Sequence, residues 1–405
     1  MCIRINDYQT SSRRHIIDKN IIAGDIMIYL DNAATTFPKP KTVYQEVMRA
    51  MTEYGANPGR GSHSMAVEGA RIIYETRELM AKLFNLDDPM KVIFTFNATD
   101  GLNQGIKGVL DPGDHVITTT MEHNSVLRPI KELEKYGIEN TIVQCESDGS
   151  ISVDDIESAI KSSTKLIVTT HVSNLTGTIM PIGEIGQMCK RRGILYLVDA
   201  AQSAGVLDID VKRDNIDLLA VPGHKGLLGP QGTGALLINC DAEIKHLKEG
   251  GTGSESSSMI QPNFYPDKLE AGTHNLPGIA GLNAGLKYIL NKGTKSIYSH
   301  EKMILDIFIN GIRENGRINI YGPEDINNRC GVVPINIEDI DSSEVAYSLD
   351  DKYGIAVRPG LHCAPLAHKT IGTEKIGAVR FSVGPFNNKS DIMTAIKALN
   401  EISKN

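Results

Sequence analysis

The sequence predicts an α/β protein, with a larger domain built on a mostly parallel β-sheet and a smaller α+β domain. Three observations carry this reading. Between about residue 90 and 240, short apolar β-rich runs alternate with stretches of helical periodicity. That alternation requires crossover connections, which lay the strands parallel and cover both faces of the sheet. After residue 285 the alternation gives way to a long helical stretch and separated strand-like runs. Finally, 405 residues exceed what a single hydrophobic core usually organises.

Each element follows from its residues. Lys91–Phe96 (KVIFTF), His115–Thr119 (HVITT), Lys165–His171 (KLIVTTH), Ile194–Val198 (ILYLV) and Asp217–Val221 (DLLAV) are too short and too apolar for amphipathic helices, so they read as buried strands. Ser125–Tyr136 and Asp154–Ile160 carry helical periodicity; Ser152 and Asp155 make a capping box for the second. Gly250–Ser258 (GGTGSESSS) is a mobile loop within the fold or a hinge region. Further on, Gly331–Ile337, Ile355–Arg358 and Val379–Val383 read as the smaller domain's strands. The expected division gives 43–285 to the large domain, and 1–42 with 286–405 to the small one. Residues 1–26 read as a tail, because the chain makes equal sense starting at Met27.

Composition narrows the function. With 42 basic against 49 acidic residues, the net charge is −7, the wrong sign for a general nucleic-acid or anionic-membrane binder. No stretch reaches the roughly 20 apolar residues that span a bilayer, and the N-terminus lacks the apolar core of a signal peptide. The six cysteines form no CxxC pair, and their spacing with histidine matches no zinc motif. Free thiols in so long a chain imply a reducing, cytoplasmic setting.

Three places carry chemistry. In AVPGHKGLLG, Lys225 follows an apolar strand, where partial desolvation would lower an amine's pKa and suit it to Schiff-base work. Asp199 ends another apolar run (LYLVDAAQS). A carboxylate there is costly unless paired, and a protonated pyridine nitrogen is one fitting partner. The turn Asn97–Gly101 (NATDG) lies between a strand and a helix, so the amides around Ala98 and the Thr99 hydroxyl offer an anion site.

In order along the chain, YLDNAATT (Tyr29–Thr36), the Thr99 turn, MEHN (Met121–Asn124), HVSNLTGT (His171–Thr178), VDAAQ (Val198–Gln202) and GHK (Gly223–Lys225) resemble the fold-type I, class V aminotransferase-like family. RPGLHCA (Arg358–Ala364) resembles its cysteine desulfurase and selenocysteine lyase branch, in the short-loop group II form. The resemblance runs from residue 27 onward. It implies pyridoxal phosphate as cofactor and a seven-stranded, mostly parallel sheet.

It also implies roles. Lys225 would hold the cofactor and move the Cα proton, and His123 would stack on its ring. Asp199 would pair with the ring nitrogen and Gln202 would bond the ring oxygen. Thr99, Ala98 and His224 would hold the phosphate. Asn174 would lie beside ring and substrate carboxylate, which Arg380 would clamp with Arg358 nearby. Cys363 would take the sulfur of L-cysteine as a persulfide, leaving alanine, with Arg358 and His362 as the groups that lower its pKa. Thr273, in LEAGTHNLPG, would reach the phosphate of a neighbouring subunit, implying a homodimer. A sulfur-acceptor protein would take the persulfide toward iron–sulfur clusters or thio-cofactors. Two residues depart from the pattern: Pro222 stands where a Ser or Thr usually bonds the phosphate, and Leu361 where a histidine usually precedes His362.

The same motifs leave open a selenocysteine lyase, another lyase or aminotransferase on this scaffold, and a cofactor-binding regulator. The regulator would need a DNA-binding module, and no basic segment of helix-turn-helix size is available.

Overall fold

The computed structural model describes residues 27–58 and 61–404. The expected tail at 1–26, with Cys2, lies outside the described residues. The chain enters through a short strand, β1 (Ile28–Tyr29). It then forms β2 (Val92–Thr95), β3 (His115–Thr119), β4 (Glu139–Val143), β5 (Thr164–Thr170), β6 (Leu195–Asp199), β7 (Leu218–Pro222) and β8 (Gly234–Ile238). These seven make one sheet in the order β2-β8-β7-β6-β5-β3-β4. Every pair from β7 through β4 is parallel, while β8 runs antiparallel to both neighbours. The mostly parallel seven-stranded sheet is therefore present.

Two of the seven strands lie outside the runs that the sequence reading takes as strands. β4 (ENTIV) sits at the sheet edge with exposed residues, so nothing forces its sequence to be apolar throughout. β8 (GALLI) is fully buried, but a five-residue apolar run after a glycine-rich turn does not declare its own period. Ser152 caps the helix Val153–Ser158 by accepting from Asp154 N–H at 3.2 Å. The reciprocal bond expected from Asp155 is not among those the described residues make.

The second sheet collects β9 (Ile318–Ile320), β10 (Val332–Ile337), β12 (Arg358–Gly360) and β13 (Ala378–Ser382) in the antiparallel order β12-β13-β10-β9. The strand β11 (Ile355–Ala356) pairs in parallel with β1. Phe308 and Phe381 pack at 4.8 Å between ring centroids in its core, where Leu30 is also fully buried. Residue 285, the expected division, falls inside the helix Leu276–Lys292, which packs against the helices Lys41–Glu53 and Ser64–Phe84.

The parallel strands point their carboxyl ends toward one side. The segments leaving β3, β5 and β7 there carry His123, Asn174 and Lys225, and Asp199 ends β6 on the same side, the usual place for a ligand in an open α/β sheet. No helix among the described residues is long and apolar enough to cross a membrane.

Candidate active site

Except for Thr273, every residue expected at the site lines one cavity of about 210 Å³. Its floor comes from strand ends. Asp199, the last residue of β6, is 3% exposed and accepts from Ala201 N–H at 2.9 Å. Burial raises its carboxyl pKa, and the positive charge of Lys225 opposes the rise. Lys225 lies in the turn after β7. Burial, reinforced by Arg380, pushes its amine down to about 8. Among the described residues that amine has no hydrogen-bond partner.

Helix starts supply the wall. The helix Ala98–Val109 is capped by Asn97, whose side chain accepts from Asp100 N–H at 2.9 Å; this sets the Ala98 and Thr99 amides at the cavity. Thr99 Oγ1 lies 2.7 Å from Ser125 Oγ, which lies 2.8 Å from His123 Nδ1. Ser125 N–H also donates to that nitrogen, at 3.0 Å. Nδ1 is therefore an acceptor, and the proton of the neutral ring sits on Nε2. Burial and the charge of Lys225 lower the ring to about 4, so it is neutral near pH 7.

The four-stranded sheet closes the cavity with Arg358 on β12 and Arg380 on β13. Arg380 is buried; it donates from Nη2 to Asp31 Oδ1 at 2.9 Å and from Nη1 to Asn174 O at 3.0 Å. Its Nε has no partner among the described residues. Asn174 in turn donates from Nδ2 to His362 O at 2.8 Å. Gln202 lines the cavity with its amide nitrogen on Ala33 O at 3.1 Å. The His224 ring leaves a buried Nδ1 unpartnered. Its carbonyl accepts from Thr36 N–H, Thr35 Oγ1 and Lys39 Nζ, fastening the loop after β1 to the Lys225 turn.

Cys363 lines the same cavity and is exposed, whereas Cys145, Cys189 and Cys330 are buried. One expectation is corrected. His362, expected to draw down the Cys363 pKa as a cation, is buried, and desolvation lowers its ring to about 3. A neutral imidazole supplies no such charge, which leaves Arg358 as the nearby cation. Thr273 lines a separate cavity with Phe96 and Lys248. Pro222 ends β7 and lines the main cavity without a donor, as its lack of an N–H dictates.

Ser125 and Asp31 were missed by sequence reasoning. Both adjoin or lie within quoted motifs, but their roles as links to His123 and Arg380 depend on contacts across the fold.

The donor set fits a flat phosphorylated aromatic aldehyde. It offers an unpartnered amine for the aldehyde, a buried carboxylate for a ring cation and a neutral imidazole for the ring face. Helix-start amides with a hydroxyl suit the phosphate, and unpartnered nitrogens on His224 and Arg380 remain for further acceptors.

The aminotransferase class-V family model matches residues 28–394. A relative from Methanothermobacter thermautotrophicus, named a probable cysteine desulfurase, is 35% identical over 93% of this chain and 94% of its own. One from Pyrococcus abyssi with the same name is 34% identical over 96% and 97%. The apo structure of a cysteine desulfurase from Thermococcus onnurineus superposes with a TM-score of 0.88 at 33% identity, covering 93% of this chain and 95% of that one.

Proposed function

The chain belongs to the aminotransferase class-V family, and from that premise we propose that it is a cysteine desulfurase dependent on pyridoxal phosphate. The observation that carries the reading is the meeting of Lys225, Asp199, His123 and the exposed thiol of Cys363 in one cavity.

Pyridoxal phosphate bound there would supply an electron sink for the bonds at the substrate's Cα. The protein's own residues account for the rest. Lys225, with an amine near pKa 8, is neutral in an appreciable fraction near neutral pH, as a nucleophile and proton carrier must be. It would hold the cofactor through its aldehyde carbon and exchange the Cα proton. Asp199 would keep the ring nitrogen protonated, which explains a buried carboxylate at a strand end. Ala98, Thr99 and His224 would hold the phosphate. Arg380 would take the substrate carboxylate as a second acceptor beside Asp31, with Arg358 on the Cys363 side. Cys363 Sγ, as thiolate, would attack the substrate sulfur: an S–S bond forms as the substrate's Cβ–S bond breaks, and the bonding pair stays with Cβ, which takes up a proton as sulfur is oxidised and Cβ reduced. L-cysteine becomes alanine, and Cys363 holds the persulfide.

Assembly and setting follow from surface and thiols. Tyr44, Met48 and Met51 lie on one face of the helix Lys41–Glu53 at 50%, 62% and 65% exposure, too apolar a stripe for an isolated surface. The helix Ser64–Phe84 also exposes apolar side chains, with Val67 and Tyr74 seven residues apart on one face. This supports a homodimer, with Thr273 directed to the partner's phosphate site. Buried free thiols support a reducing, cytoplasmic location. A sulfur-acceptor protein would collect the persulfide at exposed Cys363.

The test is alanine and sulfide release from L-cysteine with a reductant, comparing wild type with Cys363→Ala. Alanine from wild type and none from the variant supports the reading. If neither acts on L-cysteine while both release alanine and selenide from L-selenocysteine, the protein is a selenocysteine lyase and Cys363 loses its role.

A further inference from the structure

A directed chain of hydrogen bonds runs beneath the exposed thiol. His362 Nε2 lies 2.9 Å from Arg358 O. A carbonyl only accepts, so Nε2 carries the proton and Nδ1 of the neutral ring is an acceptor. That Nδ1 lies 3.1 Å from His368 Nε2, which must be the donor. His368 Nδ1 is then an acceptor, 2.7 Å from the Thr373 hydroxyl. The order is fixed throughout: Thr373 to His368 to His362 to the Arg358 carbonyl. The ring centroids are 5.3 Å apart and the planes 11° apart, the near-coplanar, edge-to-edge arrangement of an in-plane N–H···N bond, and both residues are buried.

The loop above them is strained. His362 and Cys363 have φ of +51° and +56°, the left-handed region that non-glycine side chains rarely adopt. Two such residues in a row persist only where surrounding contacts over-determine them. Asn124 N–H donates to Cys363 O at 2.8 Å, and Asn174 Nδ2 holds His362 O. The remaining hold is on the His362 ring, which is clamped between the Arg358 carbonyl on one side and His368 on the other.

We propose that His368 is a positioning residue for sulfur transfer: by donating to His362 it fixes the left-handed backbone from which Cys363 presents its thiol to the cavity. This rests on Cys363 being the residue that accepts sulfur. His368 touches none of the reacting atoms and lies outside the cavity lining.

The experiment uses the holoenzyme with L-cysteine and dithiothreitol, and separately measures alkylation of Cys363 by iodoacetamide. His368→Leu removes the donor. It is expected to lower kcat for alanine by about tenfold or more, with KM changed less than about threefold, since misplacing one reacting group costs the chemical step rather than binding. The alkylation rate is expected to change severalfold in the same variant. His368→Gln places an amide N–H where Nε2–H was and is expected to restore both readouts to within about threefold. A folded His368→Leu protein with wild-type kcat and alkylation overturns the proposal, as does failure of His368→Gln to restore either one. Should His368→Leu not fold, Thr373→Val decides: it removes the hydroxyl that donates to His368 Nδ1 and holds that ring in place, so reduced kcat at unchanged KM supports the proposal and wild-type behaviour sinks it. Retained alanine formation by Cys363→Ala would instead mark failure of the functional reading.

Discussion

Lys225 and Glu301 are buried titratable groups whose environments move them in opposite directions. The Lys225 amine is lowered from 10.5 to about 8, so between those values the unfolded chain binds the extra proton and stability rises with pH. Below pH 8 the folded protein bears the full penalty of a buried cation. Lys225→Met in the cofactor-free protein is therefore expected to gain about 2 kcal/mol at pH 7 and little above pH 10, read by urea unfolding at each pH. Glu301 has no partner among the described residues, and burial raises its carboxyl to about 8. The folded state keeps that proton while the unfolded chain loses it, so stability falls as pH rises from about 4.5 to 8. Glu301→Gln should stabilise by about 1–3 kcal/mol at pH 8 and hardly at all at pH 4, measured the same way. Equal gains at both values would remove the carboxyl's charge as the cause.

At the scale of elements, the site depends on how closely a helix start approaches a strand. A Cβ at Gly234, the first residue of β8, would lie 2.9 Å from Asn97 backbone atoms and from Val221 O. None of these atoms belongs to a flexible side chain. Gly234→Ala should therefore push the Ala98–Thr99 amides out of register with the Lys225 turn. We expect a loss of about 1–3 kcal/mol in stability, as for other overpacked sites, and pyridoxal phosphate binding weakened about tenfold or more, read by absorbance titration. Unchanged affinity would mean those amides do not hold the phosphate. A second junction ties the helix Ser64–Phe84 to β2. Arg77 and Glu270 form a buried pair at 2.6 Å, and Glu270 also accepts from Phe94 N–H at 2.6 Å. Glu270→Ala strands the guanidinium, and a loss of about 3–5 kcal/mol is expected in denaturant unfolding.

For the whole molecule, the first and last parts of the described chain build one core. Leu30 is buried with residues from 304 to 402, and Asp31 reaches Arg380. We propose on this basis that the segment before residue 43 belongs to the small domain, with the helix Leu276–Lys292 left in the large one. The apolar stripe on the helix Lys41–Glu53 carries the assembly prediction. Met48→Glu with Met51→Glu is expected to convert a dimer to monomers in sedimentation velocity and to lower activity, because charges at the centre of an apolar interface cost several kcal/mol. A wild-type protein sedimenting as a monomer would refute the homodimer.

The sequence by itself determined the α/β class and five of the seven sheet strands, and it singled out Lys225 and Asp199 at strand ends, while His123 and Cys363 came with the family resemblance that its motifs carry. The strands and the strand-end residues are local facts: an apolar run declares its burial, and a chemically costly residue at the end of such a run declares a purpose. Tertiary structure alone decided what pairs with what. Asp31 meets Arg380 across 349 positions, and Asn174 meets the His362 carbonyl across 188. No sequence period encodes such separations. It also decided charge: His362 reads as a cation beside a cysteine in RPGLHCA, yet it is neutral because the fold buries it between an accepting carbonyl and a second imidazole. A protonation state belongs to an environment, and only the folded chain supplies one.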